Sequence, residues 1–321
     1  MFHRDEEEKV CISLCDFQFD DDCKRRLHSM LKGKLCSSSI ELKPFSKQFN
    51  LLNTISLSPY ASSSNTSFYQ DVRIVYKYNL IIITQGSDLI LLDYQSKQYL
   101  KSISIENGIT SIEIDNAEEF LYLLVINYST KCFSLQKHDL NQLVSSGGNN
   151  SLLWKNSYGF YFRDDEHISQ RKIALKEVNS KQYVYLMYFT DGLVVYNGSN
   201  GELDHSFVDL YYNYFMKFNE KGQILTSSLN GLGKYTFCLE ENKWKEEETE
   251  PLYASVEGIH YEKSSQLIYT IEDSYFIAWY DEQFNVENKK LDLQQITAMT
   301  IDERRGEIYI ISSDRNLNIY N

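Results

Sequence analysis

The chain has 321 residues, a net charge of −13 and a sequence pI near 5.0. Phosphate backbones attract concentrated positive charge, so this acidic balance, with no basic cluster to offset it, argues against nucleic-acid binding. The content of 25 Tyr and 17 Phe suits half-buried β-strands. The start has no apolar signal core and no stretch approaches eighteen continuous apolar residues, which predicts a cytoplasmic protein that does not enter membranes.

Residues 1–48 differ in pattern from the rest of the chain and are predicted to form an N-terminal extension with a short helix. The acidic run at residues 20–22 can cap that helix, and Cys23, Leu27 and Leu31 then share one face. A group of possible zinc ligands in this region matches no compact zinc spacing, so reduced, buried thiols are the expectation. The group is His3, Cys11, Cys15, Cys23, His28 and Cys36.

The segment 49–57 alternates apolar and polar residues, with Phe49, Leu51, Ile55 and Leu57 on one side of the pattern. This period of two predicts a β-strand. It begins the second predicted domain, residues 49–321.

Beyond residue 71, short apolar runs recur as a cassette of about forty residues. The anchors that close the cassettes are Leu92, Leu135, Tyr196, Tyr235, Tyr280 and Tyr320, separated by 43, 61, 39, 45 and 40 residues. This period is typical of β-propeller blades. The one long interval contains a Ser/Gly/Asn-rich loop at 145–150 and a polar insertion at 163–171. We therefore predict an all-β, six-bladed propeller of four-stranded antiparallel blades; a seventh, degenerate blade within residues 8–48 is the alternative.

The sixth cassette has only three strands before the sequence ends at Asn321. An unpaired sheet edge with an apolar flank invites aggregation. The segment 49–57 is therefore predicted to complete the last blade as its outer strand and so to close the ring.

The last cassette reads Ile296-Thr-Ala-Met-Thr-Ile-Asp302, then Gly306-Glu-Ile-Tyr309, then Asn316-Leu-Asn-Ile-Tyr320. It resembles the NHL-type repeat of six-bladed propellers, in which a G-x-I-Y-V strand follows an acidic turn. The run Tyr275-Phe-Ile-Ala-Trp-Tyr-Asp281 is similar to the third strand of a WD40 repeat. Because the Gly-His and Trp-Asp dipeptides of WD40 repeats do not recur, the NHL-like interpretation is preferred.

The innermost strand of each propeller blade lines a central channel. Aligning the six candidate inner strands brings one residue of each to an equivalent position: Val75, Glu113, Ala174, Lys217, His260 and Thr300. Ionisable groups that converge from different blades can bind a small polar ligand. Glu113, Lys217, His260 and Thr300 are therefore the predicted ligand-binding residues, against the alternative that they simply line a water-filled channel.

Four oxygen-bearing side chains follow the inner strands: Asp115, Asn219, Glu262 and Asp302. They are interpreted as turn formers, although four such ligands on one rim would suit a hard cation. Six-bladed propellers of similar architecture include metal-dependent lactonases and a lyase, so the resemblance keeps a metal-dependent hydrolase or lyase as the alternative function.

The sequence contains no nucleotide-binding, nucleophile-elbow or zinc-protease motif. It therefore favours a non-enzymatic, monomeric scaffold without catalytic residues, metal or cofactor. Its rim loops and channel mouth would bind a protein or peptide.

Overall fold

The structure, a computed structural model, describes residues 41–60, 69–127, 129–130, 132–146, 148, 150–158, 172–188, 192–207, 213–228, 231–238, 243–251 and 256–321. The chain divides into two units, Met1–Glu41 and Leu42–Asn321, and all the described strands lie in the second. The predicted N-terminal helix, the six candidate zinc ligands and the insertion at 163–171 lie outside the described residues.

The described chain forms six antiparallel sheets of four strands, and each sheet is one blade. Blade 1 is β2 (Tyr69–Val75), β3 (Leu80–Gln85), β4 (Asp88–Asp93) and β5 (Tyr99–Ser104). Blade 2 is β6 (Gly108–Ile114), β7 (Phe120–Asn127), β8 (Cys132–Asp139) and β9 (Leu152–Tyr158). Blade 3 is β10 (Ile173–Val178), β11 (Lys181–Tyr188), β12 (Gly192–Asn197) and β13 (Leu203–Phe207).

The remaining blades follow the same order, except that the last takes one strand from the beginning of the described chain. Blade 4 is β14 (Asn213–Phe218), β15 (Ile224–Ser228), β16 (Gly231–Cys238) and β17 (Lys243–Pro251). Blade 5 is β18 (Val256–Glu262), β19 (Leu267–Glu272), β20 (Phe276–Tyr280) and β21 (Val286–Lys290). Blade 6 is β22 (Ile296–Asp302), β23 (Glu307–Ser312), β24 (Asn316–Tyr320) and β1 (Leu51–Ser56).

Apolar clusters between consecutive blades hold the ring together. On β3, Ile81 and Ile83 pack against blade 6, whereas Leu80 and Ile82 pack against blade 2. Because successive side chains of a strand point to opposite faces, a middle strand in a propeller buries both of its faces. This explains the long apolar runs of β3 and of its equivalent in blade 2, β7. Six such clusters, one for each junction, close the circle, and the predicted six-bladed architecture is confirmed.

Strand β1 closes the ring as predicted. It pairs antiparallel with β24, with Ile55 opposite Leu317, and Asn50 and Asn321 exchange two backbone hydrogen bonds of 3.1 Å. The alternation is less regular than expected, because the pairing shifts between Leu51 and Asn53 and leaves Leu51 55% exposed.

Residues that precede β1 add to this closure. Phe45 and Phe49 are buried between blades 5 and 6, and Phe49 stacks on Trp279 with ring centroids 5.8 Å apart.

The structure contains two features of the repeats that the sequence analysis did not predict. The loop predicted at 145–150 begins inside a short helix, α1 (Leu140–Ser146), which buries Leu140 and Leu143 in the cluster between blades 1 and 2. Strand β17 carries an acidic run and shows no apolar alternation, yet it pairs along its whole length with β16. Ladder hydrogen bonds to β16 hold this strand, and its Trp244 adds apolar packing in the cluster between blades 3 and 4.

Candidate functional site in the axial channel

Residues from all six inner strands meet around one small cavity on the ring axis. The ladders show that Arg73, Glu113 and Lys217 are equivalent, since each comes two residues after a bulge in its inner strand. The same register applies to His260 and Thr300 in blades 5 and 6. We call the equivalent set the axial ring: Arg73, Glu113, Ala174, Lys217, His260 and Thr300.

The structure corrects one member of the predicted set. Arg73, rather than Val75, belongs to the axial ring, because Val75 lies two residues further along β2 and is buried between blades 1 and 2. The correct alignment was present in the sequence as a four-residue pattern in which the second and fourth residues are apolar. Its six copies begin at Asp71, Ser111, Lys172, Phe215, Gly258 and Ala298.

The axial ring contains an ion cluster that joins three blades. The Arg73 guanidinium donates to Glu113 Oε1 at 2.9 Å, and the Lys217 ammonium donates to the same oxygen. The side chains of Arg73, Glu113 and Lys217 are only 15%, 12% and 20% exposed. The structure therefore brings the predicted residues Glu113 and Lys217 into direct contact across the channel.

A second tier of charges lies two residues before the ring, at positions that the sequence analysis did not identify. Asp71 forms an ion pair with Arg73 and accepts hydrogen bonds from the backbone N–H groups of Val72 (3.0 Å) and Ile112 (3.2 Å). The Lys172 ammonium lies 3.8 Å from Asp71 Oδ2. Asp71, Arg73 and Lys172 thus extend the predicted site into a cluster of five charged side chains.

The pKa values in the cluster follow from burial and from these pairings. Burial by itself would raise the pKa of Glu113, but the charges of Arg73 and Lys217 outweigh it and lower the pKa to about 2. Burial lowers the pKa of Lys172 and of Lys217. At neutral pH the Glu113 carboxyl is therefore fully ionised.

His260 occupies the ring position of blade 5 and stays neutral. Burial is the main reason that its pKa falls to about 3, and the nearby positive charges of Lys217 and Arg73 lower it further. Its Nε2 atom is buried and has no hydrogen-bond partner among the described residues. Thr300, 5% exposed, is placed at the ring position of blade 6.

Glu113 and Lys217, which form an ion pair, line two recesses. One is the axial cavity of about 40 Å³, lined by Asp71, Arg73 and Lys172 together with apolar side chains. The other is wider, about 510 Å³, and we call it the mouth. The mouth is lined by the ends of the inner strands and the following turns of blades 2 to 5, and Glu113 and Lys217 line both spaces.

Three of the four oxygen-bearing residues predicted as turn formers accept from backbone N–H groups of the turn that follows them, whereas Glu262 accepts from the backbone of a distant segment. Asp115 Oδ1 accepts from the backbone N–H groups of Glu119 and Phe120 at 2.8 and 2.7 Å, and Asn219 accepts from Gln223 at 3.0 Å.

The other two members of this set are likewise engaged. Glu262 accepts from the Phe45 N–H at 2.6 Å, and Asp302 accepts from the Arg304 N–H at 3.0 Å. Across the described ranges, no group of three or more His, Cys, Asp or Glu side chains is arranged to hold a metal ion.

Comparison with known proteins supports the architecture. No family model matches the sequence, and no curated protein matches it. Among solved structures, the β-propeller domain of Cps50 (Swd1) from Myceliophteria thermophila superimposes with a TM-score of 0.56 at 9% sequence identity. The match covers 85% of this chain and 99% of that domain. At this identity the likeness shows the propeller fold alone and does not decide between NHL-type and WD40-type repeats.

In the part of the chain that the structure describes, no helix has the length and apolar character needed to cross a membrane.

Proposed function

We propose that this protein is a non-enzymatic binding platform that takes a protein or peptide at the mouth of its channel. One observation carries the proposal: a recess of about 510 Å³ is lined by side chains from four blades, including the ion pair of Glu113 and Lys217. A concave site formed by several rigid elements suits recognition of a protruding side chain or peptide.

The ionisable groups of the axis support binding over catalysis. A general base works best when its pKa lies near the operating pH. With pKa values of about 2 and 3, Glu113 and His260 are weak bases at neutral pH. Glu113 also already forms ion pairs with Arg73 and with Lys217. Glu113 and Lys217 therefore give the mouth a charged lining.

The rim of the mouth supplies contacts of both signs. Asn116, Glu220 and Lys263 line it and are exposed, whereas Lys176 is half-buried and donates to Gly222 O at 2.8 Å. Mixed charges at a rim select partners by complementarity more than by total attraction. We retain the NHL-type repeat as the proposed repeat class, on the residues of the sixth cassette.

The test is capture of proteins from native cytosol by the wild type and by a mouth variant, Glu220→Lys with Lys263→Glu, which leaves the net charge unchanged. The matched control exchanges a surface ion pair away from the mouth, Glu106→Lys with Lys155→Glu, whose charged atoms lie 3.2 Å apart. We expect at least one protein to be retained by the wild type and the control and lost by the mouth variant.

That protein, once purified, should bind the mouth variant at least about tenfold more weakly, a change of about 1.4 kcal/mol. Identical sets of captured proteins for all three chains would overturn the proposal.

A further inference from the structure

The outer strands of the blades differ in how their open edges are protected. An open edge presents backbone N–H and C=O groups to any further strand, and charged side chains on the edge are a common means of keeping such strands away. The outer strands β5, β9, β13, β17 and β21 each contain at least one charged residue. Strand β1 reads Leu-Leu-Asn-Thr-Ile-Ser and contains none. Among the described strands, blade 6 therefore has the one outer edge without a charge.

The backbone of β1 directs hydrogen-bonding groups away from the ring. The Leu57 N–H donates to the Arg315 carbonyl at 2.8 Å, which continues the ladder between β1 and β24. Residues of an antiparallel strand alternately direct their backbone groups toward and away from the partner strand. Leu57 and Ile55 therefore face β24, whereas Thr54 and Ser56 face outward. In the sheets that the structure describes, no strand pairs with this outer side of β1.

The side chains of β1 leave this edge accessible and partly apolar. Leu51 and Leu52 are 55% and 50% exposed, and Thr54 and Ser56 are exposed as well. Removal of exposed leucine surface from water favours association. A further strand would meet two leucines and small uncharged side chains on this edge, so no charge would have to be desolvated.

The absence of charge favours a second copy of the same chain as the partner. In an antiparallel pair about a two-fold axis, both strands are identical, so any charge on the strand occurs twice within the same short interface. Like charges that lie opposite each other across a strand pair are destabilising. Strand β1 can pair with itself without such repulsion, and its uncharged sequence offers no complementary charge to a different partner.

We propose that two copies of this protein associate through β1, antiparallel and about a two-fold axis, so that the two blade 6 sheets become one continuous sheet. The outward backbone groups of Thr54 and Ser56 form the new hydrogen bonds, and Leu51 and Leu52 lose exposed apolar surface. The sequence analysis predicted a monomer, and the open edge of β1 leads beyond that prediction. This edge shares no residue with the mouth, so failure of either proposal leaves the other standing.

Sedimentation velocity of the full chain at increasing concentration is the direct test. A six-residue strand pair is a small interface, and small interfaces form weak, reversible complexes, so half of the chains should be dimeric at about 10–100 µM. Added salt should strengthen the dimer, because it screens the repulsion between two chains of net charge −13. A single monomeric species up to about 300 µM, several times the expected Kd, would overturn the proposal.

A pair of matched variants tests the location of the interface. Leu52→Lys puts a strongly hydrated charge on the edge and should raise the dissociation constant of the dimer at least about tenfold. Leu203→Lys is the control, because Leu203 is 59% exposed on β13, the outer strand of blade 3, and it should leave the dimer unchanged. Equal dimerisation of Leu52→Lys and the wild type, or an equal loss in both variants, would overturn the assignment to β1.

Hydrogen exchange distinguishes a second copy from any other strand that covers the edge. The outward N–H groups of Thr54 and Ser56 should exchange rapidly in dilute solution and slow at least about fivefold at concentrations where the dimer forms. The N–H groups of β21, the outer strand of blade 5, should not change. Slow exchange at Thr54 and Ser56 in dilute, monomeric protein would mean that another segment covers the edge, and it would overturn the proposal.

Discussion

The seam between blades 6 and 1 and the axial channel both bury charged side chains, but they neutralise them differently. At the seam, Asp302 is fully buried and accepts from the hydroxyl groups of Tyr76 (3.0 Å) and Tyr94 (2.7 Å). The guanidinium groups of Arg304 and Arg305 stack on those same two rings, 3.7 and 4.3 Å from their centroids. At the seam, the buried carboxylate is therefore hydrogen-bonded by hydroxyl groups, and the two aromatic rings are covered by guanidinium groups.

The axial channel, by contrast, is less completely packed and hydrogen-bonded. It has a cavity and, at His260 Nε2, a buried polar atom without a hydrogen-bond partner among the described residues. Tight, satisfied packing serves stability, whereas unfilled polar space serves binding. The comparison teaches that neighbouring parts of one repeat can be packed differently: the turn that follows the inner strand of blade 6 fastens two blades together, whereas the inner strands place charged side chains around a cavity.

Removing the closing strand should have the largest effect. Deletion of residues 1–58 removes β1 together with Phe45, Phe49 and Leu57, which are all buried in clusters of blade 6. The edge of β24 then loses its partner, and we expect loss of cooperative unfolding together with aggregation. Size-exclusion chromatography and thermal unfolding measure both.

Deletion of residues 1–8 is the control and should change little. A stable, monomeric protein without its first 58 residues would show that β1 is not needed for closure.

Breaking the seam at Asp302 should come next in magnitude. Asp302→Ala leaves the hydroxyls of Tyr76 and Tyr94 and a turn N–H without their acceptor, and the free energy of unfolding should fall by about 3 kcal/mol. Asp302→Asn keeps one acceptor oxygen, so the free energy of unfolding should fall by only about 1 kcal/mol. Denaturant titration distinguishes the two, and equal stability of the wild type and the alanine variant would contradict a fastening role for the seam.

Removing the negative charge of the axis should have a smaller effect on stability. Glu113→Gln leaves Lys217 without its carboxylate, and we expect a loss of about 2 kcal/mol near neutral pH. Because the pKa of Glu113 is lowered to about 2, this contribution exists above the ordinary carboxyl pKa of about 4.5 and disappears as the pH falls toward 2.

The variant and the wild type should therefore become more alike in acid, which denaturant titration at several pH values measures. Glu119→Gln, which breaks an exposed ion pair of 3.4 Å, is the control and should be almost neutral. A difference between Glu113→Gln and the wild type that does not shrink in acid would show that the carboxylate charge is not what stabilises the axis.

The smallest expected effect is the pH dependence due to His260. Its folded-state pKa of about 3 lies below the ordinary value of about 6.5. Between these values the unfolded chain takes up a proton that the folded chain does not, so stability falls as the pH drops through this window. When the pH falls from neutral to about 5.5, the free energy of unfolding of His260→Gln should therefore decrease by about 1 kcal/mol less than that of the wild type.

His138, whose pKa burial lowers to about 4, is present in both chains, so the comparison isolates His260. Parallel pH profiles of the two chains would mean that His260 is protonated equally in the folded and unfolded states.

Much of the site could be predicted because the inner strands repeat. Alternation of apolar and polar residues aligned Glu113, Lys217, His260 and Thr300 correctly, since strand period alone decides which side chains share a face. The alignment was wrong in blade 1, where the turn to the next strand begins directly after Val75 and hid the pattern that identifies Arg73. Asp71 and Lys172 were missed because the sequence analysis aligned a single position of each inner strand.

The sequence by itself indicated the period of the strands and the segment that closes the ring, and it favoured six blades over seven. These properties follow from local alternation and from the need to pair an open edge, and both can be read along the chain. Only the tertiary structure decided that Arg73, Glu113 and Lys217 meet at one oxygen, and that Asp302 is shared by two tyrosines of another blade. Those contacts join residues 40 to 226 positions apart. Ring curvature and blade rotation, which no local pattern encodes, bring them together.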